Sequence, residues 1–365
     1  MKRLIAGSCL AALALLPACK DLQAPGHGTI EADPPNEREL WSSLQRYEVF
    51  VRKHRDPEAG IAVERGEPHP ACLASFARLY LALWRRQKRE DDRKEYVRIL
   101  EVIRRGMRPD GTWASSSAPD RPSLRAGARF VEVFLEAAGR LQDPKYRDWA
   151  VDAARGLKGT AGGGDGADPE DDPFPAAAAI ARVLSGGLPD PELNRAGRAA
   201  AARSLAAIDR ASGRWYLSPE RRREGRYEGA DARAQLDRIA AYLDAEAAFR
   251  AVYPDVHLEM EGLLPRMDAV VEDRVLPSGA FRIDDALPEP VESAALTVWG
   301  FAVFDRKYGT RHHDAIDRAV KTILERQYTE TEKYGAYRTG PAEEKNVPPR
   351  INDGVAWYAA KFLLK

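Results

Sequence analysis

The sequence predicts an all-α fold in which six helical hairpins form a closed ring. Strand signals are scarce, because no sustained alternating run of β-branched residues occurs. Helical segments follow one another and alternate between amphipathic segments and segments that are apolar on every face. The apolar segments recur at spacings of roughly 52 to 61 residues, which indicates a repeat of two helices per unit. These observations together predict an (α/α)6 toroid, an inner ring of buried helices wrapped by an outer ring.

The first residues have the pattern of an export signal. A basic start, Met1 to Arg3, precedes an apolar run from Leu4 to Ala18 that is shorter than the roughly 20 residues needed to span a membrane. The run ends in LPAC at Cys19 and resembles the lipobox of bacterial lipoproteins. That resemblance implies a signal peptide over 1–18, a lipid anchor on Cys19 and a flexible tether over 19–35. A single toroid domain is then expected over 36–365.

Helix boundaries follow from glycine stops and from Pro, Asp or Ser starts. Twelve helices are predicted, at about 36–55, 69–88, 91–107, 122–141, 144–158, 174–186, 190–210, 229–252, 254–274, 290–308, 312–328 and 350–364. Segments such as DDRKEYVRILEVIRRG carry one apolar stripe and belong to the outer ring. Segments such as VESAALTVWGFAVF are apolar nearly all round and belong to the inner ring.

A glycine followed by an aromatic residue recurs between the helices. The motifs are RPDGTW at 108–113, SGRWY at 212–216, PSGAFR at 277–282 and KYGAYR at 333–338. Each occurs where an outer helix ends and the chain crosses to an inner helix, because glycine accepts a positive φ at little cost. Such turns resemble those of toroid enzymes, both terpene cyclase or prenyltransferase relatives and six-hairpin glycosidases. No catalytic motif of any one family matches, so the resemblance transfers no active-site residue.

The loops leading into the inner helices are long and those leading out are short, which places function at the rim where the inner helices begin. Carboxylates and flat aromatic rings gather in these loops, as a carbohydrate cleft requires. The candidate catalytic residues are Glu292, Asp353 and Asp231. The candidate substrate-binding residues are Trp113, Trp215, Tyr216, Tyr227, Arg282, Tyr337, Arg338 and Trp357.

Other classes of function lack support in the sequence. The formal net charge is zero, which gives no bulk attraction to nucleic acid. No P-loop, dinucleotide fingerprint, nucleophile elbow or HExxH motif occurs, and neither a cofactor nor a metal is predicted. His312 and His313 begin an outer helix at the opposite rim, where zinc is not expected.

We therefore predict an exported, membrane-anchored, carbohydrate-active enzyme that acts on an envelope or extracellular polysaccharide. A polysaccharide lyase, which cleaves by elimination, usually needs a Tyr or His base. Hydrolysis is favoured because His69 is the one histidine near the predicted functional rim. Lys20 after the lipidated cysteine favours the periplasmic face of the outer membrane or the cell surface. A non-catalytic protein that binds a glycan or a protein partner is the alternative, and a terpene-cyclase-like or prenyltransferase-like enzyme is disfavoured by the missing DDxxD and DxDD patterns. A deep funnel with two facing carboxylates would favour catalysis, whereas a filled, ion-paired mouth would favour binding.

Overall fold

The computed structural model describes residues 35–53, 70–113, 122–161, 172–282, 291–309, 311–329, 335–337 and 353–364. All of them belong to one compact unit that runs from Pro35 to Lys365. The predicted signal peptide, Cys19 and the tether up to residue 34 lie outside the described residues, whereas Pro35, predicted as the last tether residue, begins the first helix. Within the described ranges, no helix is both long enough and apolar enough to cross a membrane.

The described part of the chain is almost entirely helical. In chain order its elements are α1 (Pro35–Lys53), α2 (Pro70–Gln87), α3 (Glu90–Gly106), α4 (Leu124–Leu141), α5 (Lys145–Ala161), α6 (Pro173–Ser185), α7 (Pro191–Leu205), β1 (Ile208–Asp209), β2 (Arg214–Trp215), α8 (Pro219–Glu224), α9 (Gly229–Asp244), α10 (Glu246–Val252), α11 (Pro254–Glu272), α12 (Val291–Tyr308), α13 (His313–Glu325) and α14 (Asp353–Leu363).

Side-chain caps set several of the helix starts. The hydroxyl of Ser123 accepts from the backbone N–H of Ala126 at the start of α4. Asp172 and Asp190 cap α6 and α7 in the same way, each followed by a proline in the first helical turn. These are the residue types that satisfy the orphan N–H groups of a helix N-terminus, so the starts are encoded locally.

The predicted toroid is confirmed. Helices α2, α4, α6, α9, α12 and α14 each pack against the next, and α14 packs against α2, so the inner ring closes. Helices α1, α3, α5, α7, α11 and α13 pack outside it. The inner helices bury several faces: α12 carries a nearly unbroken buried run from Ser293 to Phe301. In contrast, α3 buries the stripe formed by Tyr96, Ile99, Leu100 and Ile103.

The ring is sealed where the two ends of the domain meet. Helix α1 packs against α13 and α14. The Gln327 side-chain amide donates to the carbonyl of Ser43 at 2.8 Å and accepts from Arg46 Nε at 2.8 Å. The hydroxyls of Ser43 and Tyr337 lie 2.8 Å apart. The first outer helix therefore completes the hairpin that the last inner helix begins.

Two local differences from the predicted helices occur in the fourth unit. The helix predicted over 190–210 ends at Leu205, and a two-stranded antiparallel hairpin follows, with Ile208 opposite Trp215. The Asp209 carboxylate accepts from the N–H of Ala211 and the hydroxyl of Ser212, and these bonds stabilise the turn of the hairpin. Short polar side chains compete in this way with the backbone hydrogen bonds of a helix. The helix predicted over 229–252 is interrupted at Ala245, whose φ of −111° leaves the helical range.

The recurring turn glycines share one structural role. Gly111, Gly213, Gly279 and Gly335 all have positive φ, at 82°, 76°, 74° and 90°. At each, an added Cβ would overlap an atom of the next outer helix: Gly111 with Asp152 of α5, Gly213 with Arg266 of α11, Gly279 with Ala319 of α13 and Gly335 with Arg46 of α1. The turn that ends one hairpin is thus docked directly on the backbone of its neighbour, and Gly335 repeats this contact across the seam.

This docking predicts a large stability cost for Gly335→Ala. A left-handed alanine costs roughly 1–2 kcal/mol, and forced repacking adds about 1–3 kcal/mol, because the new Cβ would lie 1.8 Å from the carbonyl oxygen of Arg46. Gly309→Ala is the matched control, since Gly309 also has positive φ but no atom within 4 Å of an added Cβ. Thermal and urea unfolding should show the smaller, purely backbone cost for Gly309→Ala. Equal losses in the two variants would contradict the docking role.

Candidate functional site

A cavity of about 50 Å³ lies inside the inner ring, beneath the rim where the inner helices begin. Because inner and outer helices alternate along the chain, all inner helices run in the same direction. Their first turns therefore meet at one rim, above the cavity. Five inner helices contribute polar or aromatic side chains to its wall: Arg125, Arg129 and Glu132 from α4, Asp172 at the start of α6, Asp237 from α9, Trp299 from α12, and Trp357, Tyr358 and Lys361 from α14.

Asp237 is the half-buried carboxylate of α9 that lines this cavity. The hydroxyl of Tyr358 donates to Asp237 Oδ1 at 3.1 Å. Tyr358 is itself held by stacking on Trp299, with ring centroids 5.5 Å apart. Burial, and then the negative charge of Asp237, raise the pKa of Tyr358 above its usual range. Tyr358 therefore stays a neutral hydrogen-bond donor that orients the carboxylate.

Glu292 lies in the first turn of α12, beside the cavity wall. Arg233 Nη2 donates to Glu292 Oε1 at 2.8 Å. Burial alone would raise the pKa of Glu292, but the charges of Arg233, Arg125 and Arg129 outweigh it, and the pKa lies below its usual value. Glu292 is thus kept ionised. Arg233 contributes most to lowering this pKa, and Arg125 and Arg129, which are cavity residues, add to it.

A chain of ion pairs forms the floor of the cavity. It runs through alternating charges in the order Glu136, Arg78, Glu132, Lys361, Asp244 and Arg182. The nitrogen–oxygen distances along the chain are 2.6, 3.1, 2.8, 3.3 and 2.9 Å. We call these six residues the ion-pair floor. They come from α2, α4, α6, α9 and α14, so the floor joins five inner helices across the barrel axis.

Cations also cover the tryptophans of the cavity. The Arg78 guanidinium lies 3.8 Å from the ring centroid of Trp357, and that of Arg129 lies 4.6 Å from it. Lys361 Nζ lies 4.2 Å from the centroid of Trp299. At such distances the cation is attracted to the electron-rich ring face. These rings therefore anchor the charged groups of the wall.

The ion-pair floor predicts acid sensitivity. Burial raises the pKa of Glu132, but the charges of Lys361, Arg182 and Arg78 lower it by more, so that it falls from an ordinary 4.5 to about 2. Its stabilisation is therefore complete above pH 4.5 and is lost as the pH falls through 4.5 towards 2. The difference corresponds to a free energy of unfolding on the order of 3 kcal/mol.

Urea unfolding over this acid range measures that loss. Glu132→Gln should remove the Glu132 part of the pH dependence and flatten the profile. An unchanged slope in Glu132→Gln would show that other carboxyl groups carry the acid sensitivity.

The predicted catalytic residues have different environments. Asp231 is fully buried, and its oxygens accept from Arg221 at 2.8 Å and from the backbone N–H groups of Leu217 and Glu228, both at 2.9 Å. It closes the capping box of α9 and does not line the cavity. Asp353 begins α14, and its side chain lies outside the described residues. The adjacent Gly354 packs against Glu292, because an added Cβ there would lie 2.1 Å from Glu292 Cδ. The pairing of Glu292 with Asp353 stays a prediction.

Most of the aromatic residues predicted to bind substrate are packed between helices and turns in the described structure. The buried ones are Trp215, Tyr216, Tyr227 and Tyr337. Trp215, for example, packs edge-on against Phe174 and donates its indole N–H to the carbonyl of Ser204 at 2.9 Å. Trp113 is half-buried against Phe130 and Gly106. The four buried rings therefore offer no open face to a substrate.

The remaining predicted binding residues differ in where they lie relative to the cavity. Trp357 lies in the cavity wall. Arg282 is exposed and is not among the cavity residues. Arg338 lies outside the described residues.

Sequence reasoning missed Asp237, Tyr358 and the ion-pair floor. A usable signal was present: single charged residues interrupt otherwise apolar inner helices, as Arg78 does in ACLASFARLYLALW and Lys361 in GVAWYAAKFLL. A charge on a helix that is buried all round needs a partner inside the barrel. Lining up these interruptions would have pointed to the barrel axis.

No family model matches the chain, and no curated protein matches it. Solved structures do. Cellobiose 2-epimerase from Bacillus thermoamylovorans B4167 is similar with a TM-score of 0.62 and 11% identity, over 90% of this chain and 98% of that one. Unsaturated glucuronyl hydrolase from Bacillus sp. GL1 is similar with a TM-score of 0.59 and 14% identity, over 90% and 96% of the two chains. A glycosyl hydrolase of family 88 from Bacteroides vulgatus is similar with a TM-score of 0.59 and 11% identity, over 90% of this chain and 97% of that one. The chain therefore has the fold of the six-hairpin glycosidases.

Proposed function

We propose that the protein is a glycoside hydrolase that acts on a polysaccharide carrying negative charge. The observation that supports this proposal is that Asp237 lines the cavity, while Glu292, in the first turn of α12, is acted on by the charges of the cavity residues Arg125 and Arg129. Paired carboxyl groups on opposite sides of a glycosidic bond are what hydrolysis requires.

The two carboxyl groups have distinct environments that suit distinct roles. Glu292 is kept ionised by Arg233, Arg125 and Arg129, so it can act as the base that takes a proton from the attacking water. Asp237 accepts from Tyr358 on Oδ1 at 3.1 Å and is the second carboxyl; it acts in its protonated form, giving a proton from Oδ2 to the leaving glycosidic oxygen and regaining one from solvent. Water adds to the anomeric carbon as the bond to that oxygen breaks, and no further reactant is needed.

The arginines of the site support an anionic substrate. Arg125 and Arg129 line the cavity, and Arg233 holds the adjacent Glu292. A guanidinium is suited to two-pronged binding of a carboxylate. Two of the similar structures are a family 88 hydrolase and an unsaturated glucuronyl hydrolase described as responsible for the degradation of glycosaminoglycan. A glycan containing uronate residues is therefore the substrate class we propose.

The proposed location is the bacterial envelope. The LPAC sequence at Cys19 supports lipidation of that cysteine and attachment to a membrane. Lys20 supports the outer membrane or the cell surface as the destination. Labelling with a radioactive or alkynyl fatty acid tests this, since label should enter the wild-type protein and be lost in Cys19→Ala.

A non-catalytic glycan-binding role is the second candidate. It is favoured by the size of the cavity, which at about 50 Å³ is well below the roughly 300–1,000 Å³ of ordinary ligand sites. The ion-pair floor also fills the barrel interior immediately beneath.

One experiment separates the two candidates. A soluble form that begins at Lys20 is incubated with uronate-containing and neutral polysaccharides, and both reducing ends and thermal stability are measured. New reducing ends from an acidic glycan, without the ultraviolet-absorbing unsaturated uronate that elimination leaves, establish hydrolysis. Stabilisation without product establishes binding alone. If no glycan produced either reducing ends or stabilisation, the proposed substrate class would be overturned.

A further inference from the structure

A second cluster of ionisable side chains lies away from the cavity, where α11, α12 and α13 meet. Asp268 and Glu272 belong to the last part of α11, Asp305 to the last turn of α12, and His312 caps α13. One oxygen from each of Asp268 and Glu272 and one ring nitrogen of His312 lie within 4.8 Å of one another. The proposed hydrolysis uses none of these groups.

The imidazole of His312 is fixed in one orientation. Its side chain is fully buried, and its ring stacks on Phe301 with centroids 4.1 Å apart and an interplanar angle of 8°. Nδ1 lies 2.7 Å from Asp305 Oδ1, a distance at which the ring N–H donates to the carboxylate. This leaves Nε2 directed at Asp268 Oδ1 at 3.3 Å and Glu272 Oε2 at 3.9 Å.

Two buried atoms in the cluster lack a hydrogen-bond partner among the described residues. They are Asp268 Oδ2 and His312 Nε2, and Nε2 has only the ion-pair contacts with Asp268 Oδ1 at 3.3 Å and Glu272 Oε2 at 3.9 Å. Asp268 is only 2% exposed, and its charged contact on that side is Arg311, at 3.9 Å and itself half exposed. A buried polar atom without a hydrogen-bond partner costs about 1–3 kcal/mol, and a cation bound between His312 and Asp268 would give both side chains a partner.

We propose that His312, Asp268 and Glu272 bind a divalent transition metal ion, zinc in the first instance, that links α11 to α13. Zinc bonds of about 2.0–2.1 Å in a tetrahedral arrangement place neighbouring ligand atoms roughly 3.3 Å apart, which the nitrogen–oxygen separations of 3.3 and 3.9 Å approach. Asp305 completes the pattern, because a metal-binding histidine commonly gives its other N–H to a carboxylate. The proposal departs from the sequence-based expectation that zinc does not bind at His312 and His313.

A comparison within the molecule supports this choice. Glu246, His257 and Glu261 form a second group with similar spacing. There, Lys307 lies 2.9 Å from Glu246 and 2.6 Å from Glu261, and Tyr242 occupies His257 Nδ1 at 2.7 Å. Those ligand atoms already have protein partners. The His312 cluster is the one in which buried ligand atoms point at one another.

The link would join two neighbouring outer helices, α11 and α13, outside the inner ring. Bound zinc would therefore act on stability, independently of any glycan chemistry. By mass action, an ion that binds only the folded chain raises the unfolding temperature in proportion to the logarithm of its free concentration above Kd.

The test uses the soluble protein after removal of metal with a chelator and dialysis. Zinc chloride is titrated while bound zinc is counted by equilibrium dialysis and stability is followed by thermal unfolding. We expect one zinc per chain and a rise in Tm of several degrees. Cobalt(II) in place of zinc should give the intense visible absorption of a tetrahedral site.

Three variants fix the site. Glu272→Gln replaces a half-exposed ligand, so the protein should fold normally while Kd rises at least about tenfold. His312→Gln should abolish binding, and His257→Gln is the matched control that should leave both stoichiometry and Kd unchanged. Absence of bound zinc in the wild-type protein would overturn the proposal. Binding that survives both Glu272→Gln and His312→Gln, or that is lost in His257→Gln, would overturn it equally.

Discussion

Asp237→Asn is expected to lower kcat/KM on an acidic glycan by about 10²- to 10⁴-fold with little change in stability. The amide keeps the shape of the side chain and its contact with Tyr358, but it can no longer deliver a proton to the leaving oxygen. Glu292→Gln should cause a loss of similar size, because the water then has no base. Since the arginines hold the pKa of Glu292 below its usual value, the base is lost only at a pH below the ordinary carboxyl range.

Initial rates and substrate-binding constants of the variants separate chemistry from binding. Asp148→Asn, on the exposed surface of α5, is the matched control and should retain full activity. Full activity in both Asp237→Asn and Glu292→Gln would move the reaction to other residues of the rim, Asp353 first among them. An active protein of that kind would still be a hydrolase, but not by the mechanism proposed for this cavity.

Lys361→Met is expected to lower the free energy of unfolding by about 3–5 kcal/mol. Lys361 is 6% exposed and pairs with Glu132 at 2.8 Å and Asp244 at 3.3 Å. Without the cation, Glu132 keeps Arg78 and Asp244 keeps Arg182, but the ion-pair floor carries one uncompensated negative charge, and breaking a buried pair costs more than the pair contributes. Urea unfolding of the soluble protein measures the loss.

A double variant tests whether the cost comes from the orphaned charge. In Lys361→Met/Glu132→Gln the cation and its nearest acid are both gone, so the loss should be smaller than the sum of the two single losses. Strict additivity would mean that Lys361 and Glu132 are not coupled. The ion-pair floor would then be a set of independent contacts rather than one network.

The architecture was predictable from the sequence because its signals are local and repeated. Gly111, Gly213, Gly279 and Gly335 mark the ends of outer helices, and apolar segments such as VESAALTVWGFAVF mark inner ones. The hairpin at Ile208–Trp215 was missed because Asp209 and Ser212 override a continuous helical pattern through side-chain hydrogen bonds. Such a competition is decided by geometry that residue type alone does not reveal.

The site was less predictable because it depends on how each inner helix is rotated. On α9 we expected the first-turn acid Asp231, which in the structure is enclosed by Arg221 and the cap, whereas Asp237 two turns later lines the cavity. A helix that is buried all round has no polar face to show which side meets the axis. The aromatic turn residues raise the same difficulty: Trp215 and Tyr337 are completely buried, while Trp357, within an inner helix, reaches the cavity wall.

The seam between α1 and α13 has a consequence for how the protein acquires its stability. An open array of repeats gains stability stepwise, since each added unit contributes one more interface and a missing end unit removes only one. A closed ring has no end unit, so the absence of α14 would expose two interfaces of the inner ring at once, those with α2 and α12. Residues nearly three hundred positions apart, such as Ser43 and Tyr337, must meet before the barrel is complete. Closure of the ring should therefore be a slow step that requires both ends of the domain, because it depends on contacts between residues far apart in sequence.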